Sequence, residues 1–335
     1  MAKKTHIFVY ALLLATALST RANGAEPLYP NSVASNNLDF ILTSDPNTFQ
    51  SLSYITFQQK EMPGSGGSLL ANAYVFRSTY SNAGPVEVWA HNSFGSVANA
   101  QPYAQLLSDA VGRLPEFARQ ELHHIVLHTG DGNFFAEEKA EDGFFVGYAQ
   151  RINTRVANHD LEESVFHETM HVALQTDHAT SPGWLQAQQN DPGFITEYAE
   201  DNPNTEDQPE SALFAYAMIN HPGRLPTSVE TAVNNLIPNR IAYLRQIPGF
   251  DLGPAGDFDG DNTVDGNDFL VWQRGGAAGG MTQANLQLWR NNAGTTTTAA
   301  AAASAVPEPS AGLLAVACCL ALAPAGKRRL SSSCA

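Results

Sequence analysis

The chain has 335 residues and carries 33 Asp and Glu against 18 Lys and Arg, a formal net charge of −15. So acidic a chain argues against nucleic-acid binding and suits cation binding and a solvated extracellular surface. All three cysteines, Cys318, Cys319 and Cys334, lie near the C-terminus, so the body has no disulfide framework and no thiol that could cap a metal.

In chain order, residues 1–24 read as a signal peptide. Lys3 and Lys4 are basic, 7–18 is mostly apolar, and Ala22-Asn23-Gly24 supplies small residues for cleavage. Residues 25–250 are long enough for one domain with its own core. Within them, 73–80 and 86–94 read as strands, 98–111 as a helix, and 123–128 and 144–152 as strands. The expected fold is α+β, a mixed sheet beside a long helix. His123, His124 and His128 read as strand residues, because no second metal spacing accompanies them.

That long helix is expected over 161–175, which holds no Gly or Pro. Asp160 is a good N-cap, Glu163 stands where a capping box needs it, and Leu161, Val165, Val172 and Leu174 supply an apolar face. It carries His167-Glu168-Thr169-Met170-His171. Two His one turn apart face the same way and can both reach one Zn²⁺ at about 2.1 Å. Glu168, next along, can take a proton from a water that the ion activates.

A third ligand has two kinds of candidate. In a metzincin arrangement a Gly ends the helix and the chain turns back with a third His. Here Leu174 holds the Gly position, Asp177 the ligand position, and His178 comes one step late. The better candidates lie downstream. Glu206 and Glu210 are four apart at the start of an apolar-periodic segment containing Ala212, Leu213, Tyr216 and Ala217. A second helix packed on the first would aim Glu206 at the metal, with Glu210 in reach of a ligand His. Acidic residues also favour helix N-termini without any metal.

HExxH, then Tyr198-Ala199, Asn202-Pro203 and Glu206-Asp207-Gln208-Pro209-Glu210-Ser211 together resemble the anthrax lethal-factor-like zincin metallopeptidases. The resemblance runs over 114–216 and implies a zincin-like mixed sheet with an active-site helix. It implies zinc ligands His167, His171 and Glu206, a general base Glu168, and Tyr198 stabilising the oxyanion over a protein or peptide substrate. Asn204-Thr205 makes the Tyr-to-Glu spacing one residue longer, and Gln208-Pro209 replaces a more usual apolar-Ala pair. Asp207 and Asp177 therefore stay open as alternatives to Glu206.

Residues 251–293 read as a calcium module. Asp257, Asp259, Asp261, Asp265 and Asp268 stand at loop positions 1, 3, 5, 9 and 12, with the Thr263 carbonyl at 7, an oxygen cage for Ca²⁺. Asn262 takes the position that usually holds Gly. Asp rather than Glu at the last position, and the echo of Phe269-Leu-Val-Trp-Gln-Arg274 in Leu286-Gln-Leu-Trp-Arg290, resemble dockerin modules with one intact EF-hand-type site. That resemblance implies a cohesin-like partner.

Residues 294–305 are a Thr/Ala-rich linker. Then come Val306-Pro-Glu-Pro-Ser310, an apolar run over 311–325, and Lys327-Arg328-Arg329. Residues 306–330 closely resemble a PEP-CTERM sorting signal, which implies handling by an exosortase, transient membrane contact through the tail and removal of the tail. The combined expectation is an exported zinc metallopeptidase in the extracellular space or cell envelope. The rival is a non-catalytic envelope or adhesion protein with structural zinc and calcium.

Overall fold

The computed structural model describes residues 24–36, 38–64, 69–137, 142–221, 223–251, 253–254, 256–258, 263–275, 277 and 281–296. The signal-peptide and sorting-signal readings, the linker beyond residue 296, and Asp259 and Asp261 of the calcium loop lie outside these residues. The described chain is α+β: a six-stranded mixed sheet and eleven α-helices. No described helix is long and apolar enough to cross a membrane.

The strands are β1 (Phe49–Glu61), β2 (Leu70–Tyr80), β3 (Val86–His91), β4 (His124–His128), β5 (Phe135–Glu137) and β6 (Phe144–Tyr148). Their order across the sheet is β1-β2-β3-β4-β6-β5. The β1/β2, β2/β3 and β5/β6 pairs are antiparallel, and β3/β4 and β4/β6 are parallel. Strands β4 and β6 are buried on both faces, whereas β3 buries alternate residues. In β4, Ile125 and Leu127 enter the main core while Val126 enters a small second cluster with Met62, Ala73, Phe144 and Val146. His124 is stacked between Trp89 and Phe144 on that second face and pairs with Asp142 at 3.0 Å.

The helices are α1 (Val97–Val111), α2 (Glu116–Glu121), α3 (Ala149–Asn158), α4 (Leu161–Leu174), α5 (Pro182–Asn190), α6 (Glu197–Asp201), α7 (Asp207–Asn220), α8 (Thr227–Leu236), α9 (Pro238–Arg245), α10 (Gly266–Gln273) and α11 (Gln283–Asn292). Helix α4 is central, packed against α1, α2, α3, α7, β5 and β6. It runs on into a π-helical turn, Gln175–Ala179. His159, at φ 60°, is the only described non-glycine residue with positive φ and reverses the chain between α3 and α4.

The strand expected over 144–152 stops at Tyr148, where α3 begins. The strand expected over 86–94 stops at His91, and a 3-10 turn, Asn92–Phe94, follows. The expected capping box at Asp160 and Glu163 does not form. The Asp160 side chain is taken by Arg155 at 2.9 Å and caps no helix amide. Glu163 instead accepts the main-chain N–H groups of Phe40 (3.1 Å) and Ile41 (3.0 Å). A long-range demand for an acceptor outcompetes the local one.

Helices α10 and α11 hold each other crosswise. The Trp272 indole donates to the carbonyl of Thr282, the N-cap of α11, at 2.9 Å. The Trp289 indole donates to the carbonyl of Asp265, the N-cap of α10, at 2.6 Å. The sequence echo thus places two Trp in reciprocal roles, with Phe269 packed at a tilt against both Trp rings.

Burial pushes the Glu163 carboxyl up to about 7 against an ordinary 4.5, despite its main-chain donors. The folded state therefore holds this proton more tightly than the unfolded state. The stability it contributes is complete below about pH 4.5 and is lost as the pH rises through about 7. Glu163→Gln keeps an acceptor for the two amides and stays neutral. Chemical denaturation should show it matching the wild type near pH 4.5 and exceeding it by roughly 1–3 kcal/mol at pH 8.

Candidate metal centre

Helical spacing places His167 and His171 side by side on α4, and Glu206, the residue before α7, faces them. Their three donor atoms converge. Glu206 Oε2 is 3.3 Å from each His Nε2, and the two Nε2 atoms are 3.2 Å apart. A tetrahedral ion with bonds of about 2.0–2.1 Å sets its ligands about 3.3–3.4 Å apart, so this triangle fits one zinc-sized face. It is the one such group of three donors among the described residues.

The surroundings hold the rings in place. Glu210, one turn along α7, sits 3.4 Å from His167 Nδ1 and is itself fully buried. Glu210 also accepts from Ser32 Oγ (2.5 Å) and the Val33 amide (2.7 Å). His171 Nδ1 meets Gln175 Oε1 at 2.7 Å. His171 thus has a hydrogen-bonded acceptor behind it, while the Glu210 carboxylate stands behind His167 Nδ1 without a hydrogen bond in place; both Nε2 atoms face Glu206.

The electrostatics favour positive charge where the donors meet. Burial opposes charging His167, yet its hydrogen bond to Glu206 and the charges of Glu210, Glu168 and Glu206 raise it to about 9. Burial also opposes charging Glu206, but both His hold it well below the usual carboxylate range. A cavity of about 300 Å³ opens on the triad, lined also by Glu168, Tyr198, Gln175 and Phe134-Phe135-Ala136. Burial raises Glu168, with the two His pulling the other way. Tyr198, on α6 and 40% exposed, has its phenol pushed far up, first by burial and then by the Glu206 charge and hydrogen bond.

Asp207 and Asp177 are not in the cluster. Asp177 is exposed on the π-helical turn, because the chain continues past Leu174 instead of doubling back. Asp207 is fully buried against the Arg240 guanidinium and accepts from Gln188 Nε2 at 2.9 Å. Arg240, also fully buried, donates through Nε to Asp191 at 2.9 Å and through Nη2 to the Gly193 carbonyl. This network pins the first residue of α7 and so the aim of Glu206 one residue earlier.

His123, His124 and His128 lie outside the centre; His124 and His128 are the ends of β4, and His123, expected in that strand, precedes it and accepts from the Gly143 amide at 3.1 Å. In the segment expected to bind calcium, Asp268 is buried, with Oδ1 accepting from the Phe258 amide (2.6 Å) and Oδ2 from the Asp265 amide (2.7 Å). Asp265 accepts from the Asn267 amide at 2.7 Å, and Thr263 bridges to Thr296. Gln175 was absent from the expected site, though its spacing from His171 is a helical one. Ser32 and Arg240 were absent too, and nothing local in the sequence marks them.

No family model, curated protein or solved structure matches the chain.

Arg240→Ala strands two buried carboxylates and should cost about 3–5 kcal/mol in denaturant unfolding. Asp207→Asn leaves Arg240 paired with Asp191 and should be milder. Any metal that the triad holds should be retained in this variant by atomic absorption, since Asp207 points to Arg240; its loss would return Asp207 to the ligand set.

Proposed function

We propose that the chain is an exported zinc-dependent metallopeptidase of zincin type, with a calcium-binding, dockerin-like module at its C-terminal side. The observation that carries the reading is one cavity holding the three-donor triangle, a buried carboxylate and a phenol together. When bound there, zinc would acidify a water and polarise a carbonyl. His167, His171 and Glu206 would hold it, and Glu210 and Gln175 would hold the His rings.

The remaining roles follow from position. Glu168 adjoins the ligand His167 and opens on the same cavity, so it is placed to accept a proton from water and pass it to the leaving amine. Its burial supports the higher proton affinity that a base working near neutral pH needs. Tyr198 stays protonated at any ordinary pH and can donate to an oxygen that gains negative charge. Strand β5 is an edge strand that pairs only with β6 among the described residues, and it lines the cavity. An extended peptide can add to its free edge, in the antiparallel sense that gives the better hydrogen bonds. Export and sorting rest on residues 1–24 and 306–330 of the sequence, and calcium binding on the spacing of Asp257, Asp259, Asp261, Thr263, Asp265 and Asp268.

The purified chain should hold about one zinc, which Glu206→Ala loses. Glu168→Gln should retain the metal and lose about 10²–10⁴-fold in peptide hydrolysis. Tyr198→Phe should lower kcat by about 10²-fold with little change in KM. Full turnover in Glu168→Gln sinks the mechanism, and a zinc-loaded wild type that cleaves no peptide points to the structural-zinc alternative.

Calcium should raise the unfolding temperature of the C-terminal transition by neutralising clustered carboxylates. Calorimetry on the full chain should show that response vanish in the double variant Asp257→Ala, Asp261→Ala. A wild type indifferent to calcium makes 251–293 an acidic spacer.

A further inference from the structure

A second cavity of about 280 Å³ shares Phe134, His167, Glu168 and Tyr198 with the first. What distinguishes it is Arg151 and Arg155. They are four apart on α3 and so project from one face of it. Like charges at that spacing repel, and basic residues are the minority in a chain of net charge −15. Two of the chain's 18 Lys and Arg nevertheless converge beside Glu168.

The two guanidinium groups are held differently. Arg155 Nη1 donates to Asp160 Oδ2 at 2.9 Å and to the Ala34 carbonyl at 3.1 Å, which fixes it in the wall. Among the described residues Arg151 has one ion-pair partner, Asp131, at 3.3 Å from Nε, and the Asp131 side chain is 53% exposed. A surface pair of that kind is weak. The terminal nitrogens of Arg151 make no hydrogen bond among the described residues, which leaves the flat end of its fork for another planar anion.

The direction of the sheet says which part of a peptide reaches this cavity. Strand β5 runs from Phe135 to Glu137. A peptide lying antiparallel on its edge runs the other way, so residues after the cut bond lie toward Asn133 and Phe134. Those two residues line the cavity of Arg151 and Arg155.

We propose that this cavity binds a carboxylate on the leaving-group side of the cleaved bond, with Arg151 as its main partner. The carboxylate is either an acidic side chain just after the cut or the free C-terminus of a short substrate. The inference rests on the peptidase reading for the direction of the substrate.

The test uses the full, zinc-loaded chain and three hexapeptide mixtures of matched composition: Asp-containing with amidated ends, the Asn counterpart, and the Asn counterpart with free C-terminal carboxylates. Retention is measured on immobilised Glu168→Gln protein, so that preference is read whether or not cleavage occurs. Products made by the wild type are mapped by mass spectrometry. One carboxylate-bearing mixture should be retained at least about tenfold better than the neutral one, and which one identifies the source. On the Glu168→Gln background, Arg151→Gln should reduce that ratio to below about threefold, and Arg151→Lys should restore part of it. Zinc content and circular dichroism of the same samples report folding. Equal retention of all three mixtures, or a ratio unmoved by Arg151→Gln, overturns the proposal. Cleavage without charge preference leaves the peptidase reading standing and removes this one, and charge preference without cleavage removes the peptidase reading and with it the leaving-group assignment, leaving only an anion site at Arg151.

Discussion

The Arg240 guanidinium is the constraint on which the site's geometry depends. It is fully buried and reaches three segments at once: Asp191 at the end of α5, Gly193 just beyond it, and Asp207 at the start of α7. A buried charge is tolerable only with its donors satisfied, and here two carboxylates and a carbonyl satisfy it. Asp191 also accepts the Asn239 amide at 2.8 Å and the Arg240 amide at 3.0 Å, an anion at the N-terminus of α9. Neither carboxylate can swing away without stranding Arg240. The start of α7 is therefore rigid, and Glu206 inherits its aim from that rigidity.

A second pair of long-range bonds does for α4 and α7 together what Arg240 does for α7 alone. Residues 32–36, which include the 3-10 turn Val33–Ser35, and residues 38–41 reach both helices. Ser32 and Val33 donate to Glu210 of α7, and Phe40 and Ile41 donate to Glu163 of α4. Both glutamates are buried: Glu163 accepts two main-chain amides, and Glu210 accepts one amide and the Ser32 hydroxyl. The two helices that carry the donor triangle are thus bound from outside as well as packed face to face. The cost is two carboxyls whose ionisation burial opposes, which makes this region a focus of pH sensitivity.

How much of this was legible in the sequence depends on the range of the interactions. The α4 helix was, because a breaker-free apolar pattern and an i, i+4 His pair are local. The second helix with Glu206 and Glu210 was, for the same reason. Strand β1 was not: it is an edge strand whose residues are all partly or fully exposed, so no apolar alternation marks it. Strand β5 has three residues, too few for a pattern. The α3 start was read as strand because the apolar run of β6 flows into Ala149 and Ile152 without a breaker. The capping box at Asp160 failed because Glu163 answers to Phe40 and Ile41, more than 120 residues away. The choice between Glu206 and Asp207 needed Arg240, 33 residues beyond Asp207.

The same distinction between local and long-range order governs the C-terminal module. A unit of some forty residues cannot bury enough apolar surface to be stable without a further tie. Its helices α10 and α11 meet through one aromatic cluster, Phe269 with Trp272 and Trp289, and through the two crosswise indole bonds. Those bonds anchor each helix to the N-cap of the other and so help set their register. Asp268 is drawn into the same framework, since both of its oxygens accept main-chain amides. On the proposed reading, a cation would therefore act on the loop that leads into α10, where the acidic residues crowd, more than on the pairing of the helices. On that reading calcium binding and helix pairing would be separable, since the indole bonds that pair the helices lie outside the acidic loop.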